Sequence, residues 1–106
     1  MVKQVLTRAG FIEDETFKET RFLKPPRTTY AVFMISYERR GADNHNLIKD
    51  HDDTIELYSY TADPDAEARV EEALDYFGLE YDKESRYWIQ EEQLYQVVYS
   101  IGHIEK

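Results

Sequence analysis

The apolar and polar positions are most regular between Asp63 and Gly78, where they predict a helix of about four turns. One apolar stripe recurs at three- and four-residue spacing, and it consists of Ala66, Val70, Ala73, Leu74 and Phe77. Asp63 is a favourable N-cap, and Pro64 suits the first helical position, which needs no backbone N–H. Gly78 suits the left-handed residue that ends a helix, and Leu79 is expected to fold back onto Leu74. The stripe is too narrow to form a fold alone and needs a sheet to cover it.

The segments on either side of this helix predict four strands. Residues 28–38 are apolar almost without a break from Tyr30 to Ile35, which is typical of a strand that is covered on both faces or lies inside a sheet. Residues 53–61 alternate between apolar and polar positions, as a half-buried strand does. Residues 80–90 and 91–106 alternate as well, and the short link between them favours a hairpin.

Two remaining segments precede and separate these strands. Residues 1–27 are predicted to hold a short helix, within residues 2–12, and an extended lead-in that contains two adjacent prolines. Residues 39–53 are rich in charge and contain the turn formers Gly41, Asn44 and Asn46. This segment is too long for a tight turn, so we predict a long charged connector of the kind that carries function in many proteins.

The order α-β-β-α-β-β predicts an α+β fold. We expect a mostly antiparallel four-stranded sheet, one face of which is packed by the central amphipathic helix. A length of 106 residues with 42% hydrophobic residues fits one domain over residues 1–106 with a single modest core.

Composition excludes several classes of function. No apolar run approaches the length of a membrane span, and the first residues do not resemble a secretory signal. The chain has no cysteine, which excludes disulfides, thiolate catalysis and cysteine-based zinc sites. An intracellular origin is favoured.

The net charge of −9 is unevenly distributed along the chain. Residues 1–50 hold nine basic and seven acidic residues, whereas residues 52–92 hold three basic and fourteen acidic ones. Proteins that bind nucleic acid tightly show the opposite balance, because their affinity depends on lysine and arginine at phosphates. The acidic half therefore argues against tight binding of DNA or RNA.

One cluster has the residue types of a metal or acid/base site, because imidazole and carboxylate groups bind divalent ions. Its members are Asp43, His45, Asp50, His51, Asp52 and Asp53. Their spacing matches no metal-binding motif, and solvation of the connector is the favoured interpretation. We therefore predict no catalytic residue, no metal and no cofactor, and a metal-dependent hydrolase is the least favoured reading.

The aromatic residues allow two interpretations. Period-two alternation places Tyr58, Tyr60 and Trp88 on the sheet face opposite the helix. Such residues are enriched at interfaces with partners, but cross-strand aromatic pairs also stabilise a half-exposed sheet by themselves. The pattern favours neither interpretation over the other.

Three stretches carry a resemblance to a known family. They are GADN (41–44), LIKDHDDTIELYSYTADPDAEARVEEALD (47–75) and YDKESRYWIQEEQLYQVVYSI (81–101). In this order they resemble the tail-terminator, or tail-completion, proteins of long-tailed phages, which are encoded in structural-gene clusters of phages and prophages of Gram-positive bacteria. The resemblance spans residues 26–106 and includes no catalytic signature.

The resemblance implies a structural protein of the virion that is made in the bacterial host cytoplasm. Such proteins form a ring, typically a hexamer, at the head-proximal end of the tail tube, where the ring stops tube polymerisation and joins the tail to the head. The implied partners are further copies of the chain, the tail tube protein and the head-completion or connector protein, while DNA passes through without tight binding and no membrane is involved. The candidate interface residues are Arg39, Arg40, Gly41, Asp43, Asn44, Lys49, Asp50, Tyr58, Tyr60 and Trp88. The alternative is an acidic monomeric adaptor or inhibitor that mimics DNA charge and binds one phage or host protein.

Overall fold

The protein is an α+β domain in which two helices cover one face of a mixed sheet. The computed structural model describes residues 1–35, 37–40 and 48–105, with side chains described over residues 1–35 and 53–102. The described elements are α1 (Val2–Arg8), β1 (Phe17–Glu19), β2 (Tyr30–Met34), β3 (Tyr37–Arg40), β4 (Ile48–Ser59), α2 (Pro64–Tyr76), β5 (Tyr81–Lys83), β6 (Tyr87–Ile89) and β7 (Leu94–Glu105). The predicted fold class is confirmed, but the predicted four-stranded sheet is wrong in detail, since seven strands are present among the described residues.

The centre of the sheet is the antiparallel pair of β4 and β7, which runs from Lys49 opposite Glu105 to Ser59 opposite Tyr95. The strand order is β1-β2-β4-β7-β5, while β3 also pairs with β4 and β6 also pairs with β7. All described pairs are antiparallel except that of β1 with β2. β1 lies within the predicted lead-in, and its one buried anchor, Phe17, packs against Phe33 with 6.1 Å between ring centroids.

The predicted stripe, cap and stop of the central helix are all confirmed in α2. The carboxylate of Asp63 accepts a 3.1 Å hydrogen bond from the backbone N–H of Ala66. Gly78 adopts a positive φ of 69°, and the backbone N–H of Leu79 donates to the carbonyl of Leu74 at 3.0 Å. This is the Schellman pattern, which satisfies carbonyls that a helix end otherwise leaves without partners.

The core lies between the two helices and one face of the sheet. The predicted alternation in β4 is confirmed, because Ile55 and Leu57 are buried while their neighbours are only half-buried. The same holds in β7, where alternate residues reach the core. The core cluster of buried residues consists of Val2, Val5, Leu6, Ala9, Phe11, Phe17, Ala31, Phe33, Ile55, Leu57, Ala66, Val70, Ala73, Leu74, Val97, Tyr99 and Ile101. Each large apolar side chain buried in this way stabilises the fold by about 1.5–3 kcal/mol.

The structure corrects the prediction of a long connector over residues 39–53. Its two ends are antiparallel strands, with Arg39 opposite Lys49 in the pairing of β3 with β4, and β4 continues alongside β7. The charged composition misled the prediction because the hydrogen bonds of a ladder join backbone groups, so that charged residues can form strands as well. Residues 41–47 lie outside the described part of the chain.

A one-residue bulge separates β5 from β6. Lys83 lies opposite Tyr99, whereas Tyr87 lies opposite Gln96, so three residues on this side, 84–86, face two on β7. An extra residue of this kind reverses the side-chain alternation beyond it. It therefore moves Trp88 to the face opposite the predicted one, where it lies directly opposite Tyr95.

Candidate interface surfaces

A three-stranded extension of the sheet projects beyond the helix-covered core, and we call it the arm. It consists of β3, residues 48–52 of β4 and residues 102–105 of β7. At a rise of about 3.3 Å per residue it adds about 15 Å to the sheet, in line with overall dimensions of 48 × 28 × 25 Å. Four predicted interface residues, Arg39, Arg40, Lys49 and Asp50, lie on its strands, while Gly41, Asp43 and Asn44 fall outside the described residues.

The arm has two edges without a strand partner among the residues that the structure describes. On one side, β3 pairs only with β4. On the other side, the pairing of β5 with β7 ends at Tyr81 opposite Ile101, so that residues 102–105 of β7 pair only with β4. Unpaired backbone donors and acceptors on such edges are a template for a strand from another chain.

An acidic groove lies at the first residue of β5, beside the start of the free edge of β7. Its volume is about 590 Å³ and it is open to solvent, and its lining residues are Asp75, Leu79, Glu80, Tyr81, Asp82, Ser100 and Gly102. The side chains of Asp75, Glu80 and Asp82 are exposed. Within the described part of the chain, none of these three carboxylates forms an ion pair. The groove is therefore a concentrated negative charge beside an open sheet edge.

The sheet face away from the helices carries a hydrogen-bonded tyrosine network. The Tyr58 ring stacks on that of Tyr30 with 5.2 Å between centroids. The Tyr58 hydroxyl donates to a carboxylate oxygen of Glu56 at 2.9 Å and accepts from the side-chain amide of Gln96 at 3.0 Å. Burial raises the pKa of Tyr30 to about 12, and burial followed by the Glu56 bond also raises the pKa of Tyr58. The hydroxyl and the ring of Tyr58 thus both have contacts within the fold.

The structure does not bring the three predicted aromatic residues together. Tyr60 is 44% exposed, and its hydroxyl donates to the carbonyl of Pro26 at 2.9 Å. Trp88 lies on the helix-covered side, with its ring centroid 4.8 Å from that of Tyr95. The aromatic residue that the bulge places on the helix-free face is Tyr87, which is 63% exposed.

A charge cluster connects α2 to the bulged strand. Glu67 has a side chain only 8% exposed, and its carboxylate accepts from Nζ of Lys83 at 3.0 Å and from Nε of Arg86 at 2.8 Å. Glu71 pairs with the same lysine at 2.7 Å and accepts from the hydroxyl of Tyr99 at 2.8 Å. Two carboxylates and two cations therefore balance one another in charge.

The cluster shifts the pKa values of its members in the directions that this geometry predicts. Burial alone would raise the pKa of Glu67, but the bonds from Arg86 and Lys83 outweigh it and hold the pKa below its usual value. The bond to Glu71 raises the pKa of Lys83, and burial raises the pKa of Tyr99. A charged Glu67 and a neutral Tyr99 are therefore the stable forms of these two residues.

The sequence analysis did not identify this cluster. The available signal was its spacing, since Glu67 precedes Val70 by three residues and Leu74 by seven. That spacing puts Glu67 on the buried side of the helix, where a carboxylate needs partners. One partner, Lys83, is the last residue of β5 and the other, Arg86, lies in the bulge, which the sequence does not reveal.

No group of three or more histidine, aspartate or glutamate residues within the described ranges could hold a metal ion. Asp43 and His45 of the predicted cluster fall outside those ranges. Asp53 is buried at the start of the core section of β4. None of the helices described is both long and apolar enough to cross a membrane.

No protein-family model matches this chain, and no curated protein is similar to it in sequence.

Proposed function

We propose that the protein is a phage tail terminator that forms a ring at the head-proximal end of the tail tube, stops tube polymerisation and joins the tail to the head. The observation that carries the proposal is the arm. A helix-covered core with a sheet extension about 15 Å long can contact a neighbouring subunit while its own core stays intact.

A ring of identical subunits requires two different complementary patches on each copy. The β3 edge and the acidic groove supply two surfaces of different charge, since β3 carries Arg39 and Arg40 with one acidic residue whereas Asp75, Glu80 and Asp82 line the groove. This arrangement favours head-to-tail contacts between copies over a symmetric pair.

The acidic half of the chain supports passage of DNA without binding. Residues 52–92 carry fourteen acidic and three basic residues, and many of the carboxylates are exposed, among them Asp65, Glu72, Glu84, Glu91 and Glu92. A wall of negative potential repels phosphates at short range. Such a wall suits a lumen through which DNA moves.

Electron microscopy of particles from a phage or prophage that lacks this gene tests the proposal. We expect abnormally long tails that are not attached to filled heads, because nothing stops the tube or joins it to the head. Normal infectious particles would overturn the proposal.

A variant with a shortened arm tests whether the arm is required for assembly. Residues 38–50 are replaced by Asn-Gly, which makes a two-residue turn between Tyr37 and His51, directly opposed in the native sheet. We expect a native circular dichroism spectrum and no rescue of the deletion phage. The matched control is Lys18→Gln on β1, an exposed residue outside the arm and the acidic half, which should rescue fully. Rescue by the shortened-arm variant would remove the arm from the assembly.

An acidic adaptor that acts as a monomer on one phage or host protein is the second candidate. The observation in its favour is the net charge of −9 together with the exposed carboxylates of the groove. The deletion phage separates the two functions, because an adaptor leaves tail length unchanged. Capture of a single partner by the tagged protein from infected cells, with normal tails, would establish the adaptor.

A further inference from the structure

We propose that copies of the chain join by β-strand addition, in which β3 of one copy pairs with the free edge of β7, residues 102–105, of the next. The inference rests on the proposed ring and names its subunit contact. The occupant of the free edge is therefore a second copy of this chain.

The two edges match in length and availability. β3 comprises Tyr37–Arg40, four residues, and pairs only with β4 in the described part of the chain. The free edge of β7 also spans four residues, because β5 ends its pairing opposite Ile101. A strand added there would continue the line of β5 and satisfy backbone groups that the described pairing leaves open.

The two edges also match in charge. β3 contains Arg39 and Arg40 with one acidic residue, Glu38. The free edge of β7 adjoins the groove with the exposed carboxylates of Glu80 and Asp82. Opposite charges across an interface select the register and the correct partner, while like charges oppose the wrong ones.

The sheet topology makes this contact head-to-tail. β4 lies between β3 and β7 in every copy, so β3 cannot reach the β7 edge of its own chain. Each contact uses one edge of a copy and leaves its other edge free for the next. A contact of this type closes into a ring or continues as a helix, depending only on the rotation between neighbours.

Cross-linking between single-cysteine variants tests the contact directly, since the natural chain has no cysteine. Arg39→Cys and Gly102→Cys are made in separate chains, mixed, and treated with a short bis-maleimide, both as concentrated protein and in purified tails. Gly102 has no positive φ and its Cβ position is open, so the change is compatible with the fold. We expect mixed dimers, and none when Glu91→Cys replaces Gly102→Cys.

A charge exchange tests the pairing of the two surfaces. With Tyr37→Cys in place of Arg39→Cys as the cross-linking position on β3, Arg39→Glu with Arg40→Glu should lower the yield of mixed dimers about tenfold or more, because it places like charges together. Adding Glu80→Lys and Asp82→Lys on the other surface should restore the yield. A merely structural effect would not be reversed by a second pair of changes at distant positions.

The outcomes separate this inference from the proposed function. Long unattached tails in the deletion phage, without the cross-link in concentrated protein or tails, would overturn the contact and leave the function standing. The cross-link together with normal tails would establish the contact and overturn the function. Cross-linking of Arg39→Cys to the tail tube protein instead of Gly102→Cys would assign β3 to another partner and overturn the inference.

Discussion

The carboxylate of Glu67 on α2 accepts a 2.8 Å hydrogen bond from Nε of Arg86, which lies in the bulge between β5 and β6. The same carboxylate binds Lys83, the last residue of β5. One nearly buried residue of α2 thus binds both the residue that precedes the bulge and a residue within it. The bulge in turn decides which face of the sheet Trp88 and Tyr87 occupy.

Glu67→Gln should lower the free energy of unfolding by about 1–3 kcal/mol, because the amide keeps the volume but leaves Arg86 without its charged partner and Lys83 with Glu71 alone. The lower part of this range is expected, since Lys83 and Arg86 are about a third exposed and screened by water. Urea denaturation measures the change. The matched control is Glu72→Gln, an exposed residue of the same helix that pairs with Arg8, and it should have little effect. Equal effects from the two variants would contradict the role of Glu67.

Acid should destabilise the protein partly through Glu67 and Asp63. The pKa of Asp63 is lowered mainly by the 2.6 Å bond from the Thr29 hydroxyl, and that of Glu67 is lowered by its two cations. A carboxylate with a lowered pKa stabilises the fold above its unfolded pKa of about 4 and loses that contribution as pH falls through the folded value. The free energy of unfolding should therefore fall below about pH 4. In Glu67→Gln this dependence should be shallower, and an unchanged slope would contradict the assignment.

Alkali should unfold the protein through buried tyrosines. Burial raises the pKa of Tyr30 to about 12, and the pKa values of Tyr58 and Tyr99 are raised as well. A raised pKa stabilises the fold below the unfolded value of about 10, and the contribution is lost as pH rises through the folded value. Phenolate absorbance and circular dichroism, followed together from pH 9 to 13 or so, should show late-ionising tyrosines released at the unfolding transition. Tyr58→Phe should make the loss of stability above pH 10 or so less steep, whereas full ionisation of all nine tyrosines before unfolding would contradict this.

Two glycines should respond in opposite ways to alanine. Gly78 has a φ of 69°, which disfavours any Cβ, so Gly78→Ala should cost about 1 kcal/mol. Gly102 lies in β7 without a positive φ and with open space around its Cβ position, so Gly102→Ala should be neutral or slightly stabilising by restricting the unfolded chain. Thermal unfolding of both variants measures the difference. A loss at Gly102 equal to that at Gly78 would show that β7 does not have the described backbone there.

The sequence alone determined the features that depend on neighbouring residues. The cap at Asp63, the apolar stripe and the stop at Gly78 are set within a single helix, and the alternation of Ile55 and Leu57 is set within a single strand. Each needs only local hydrogen bonds or one consistent side-chain period, so the pattern of residues is sufficient to predict it.

The tertiary structure decided the features that depend on distant pairing. The arm exists because β4 and β7 continue their backbone ladder past the core, and the hydrogen bonds of a ladder join backbone groups rather than side chains. The bulge and the partners of Glu67 follow from the register of β5 and β6 against β7. An extra residue in one strand cannot be recognised from the local alternation of side chains. The sheet face that Trp88 occupies therefore follows only from the pairing of β6 with β7.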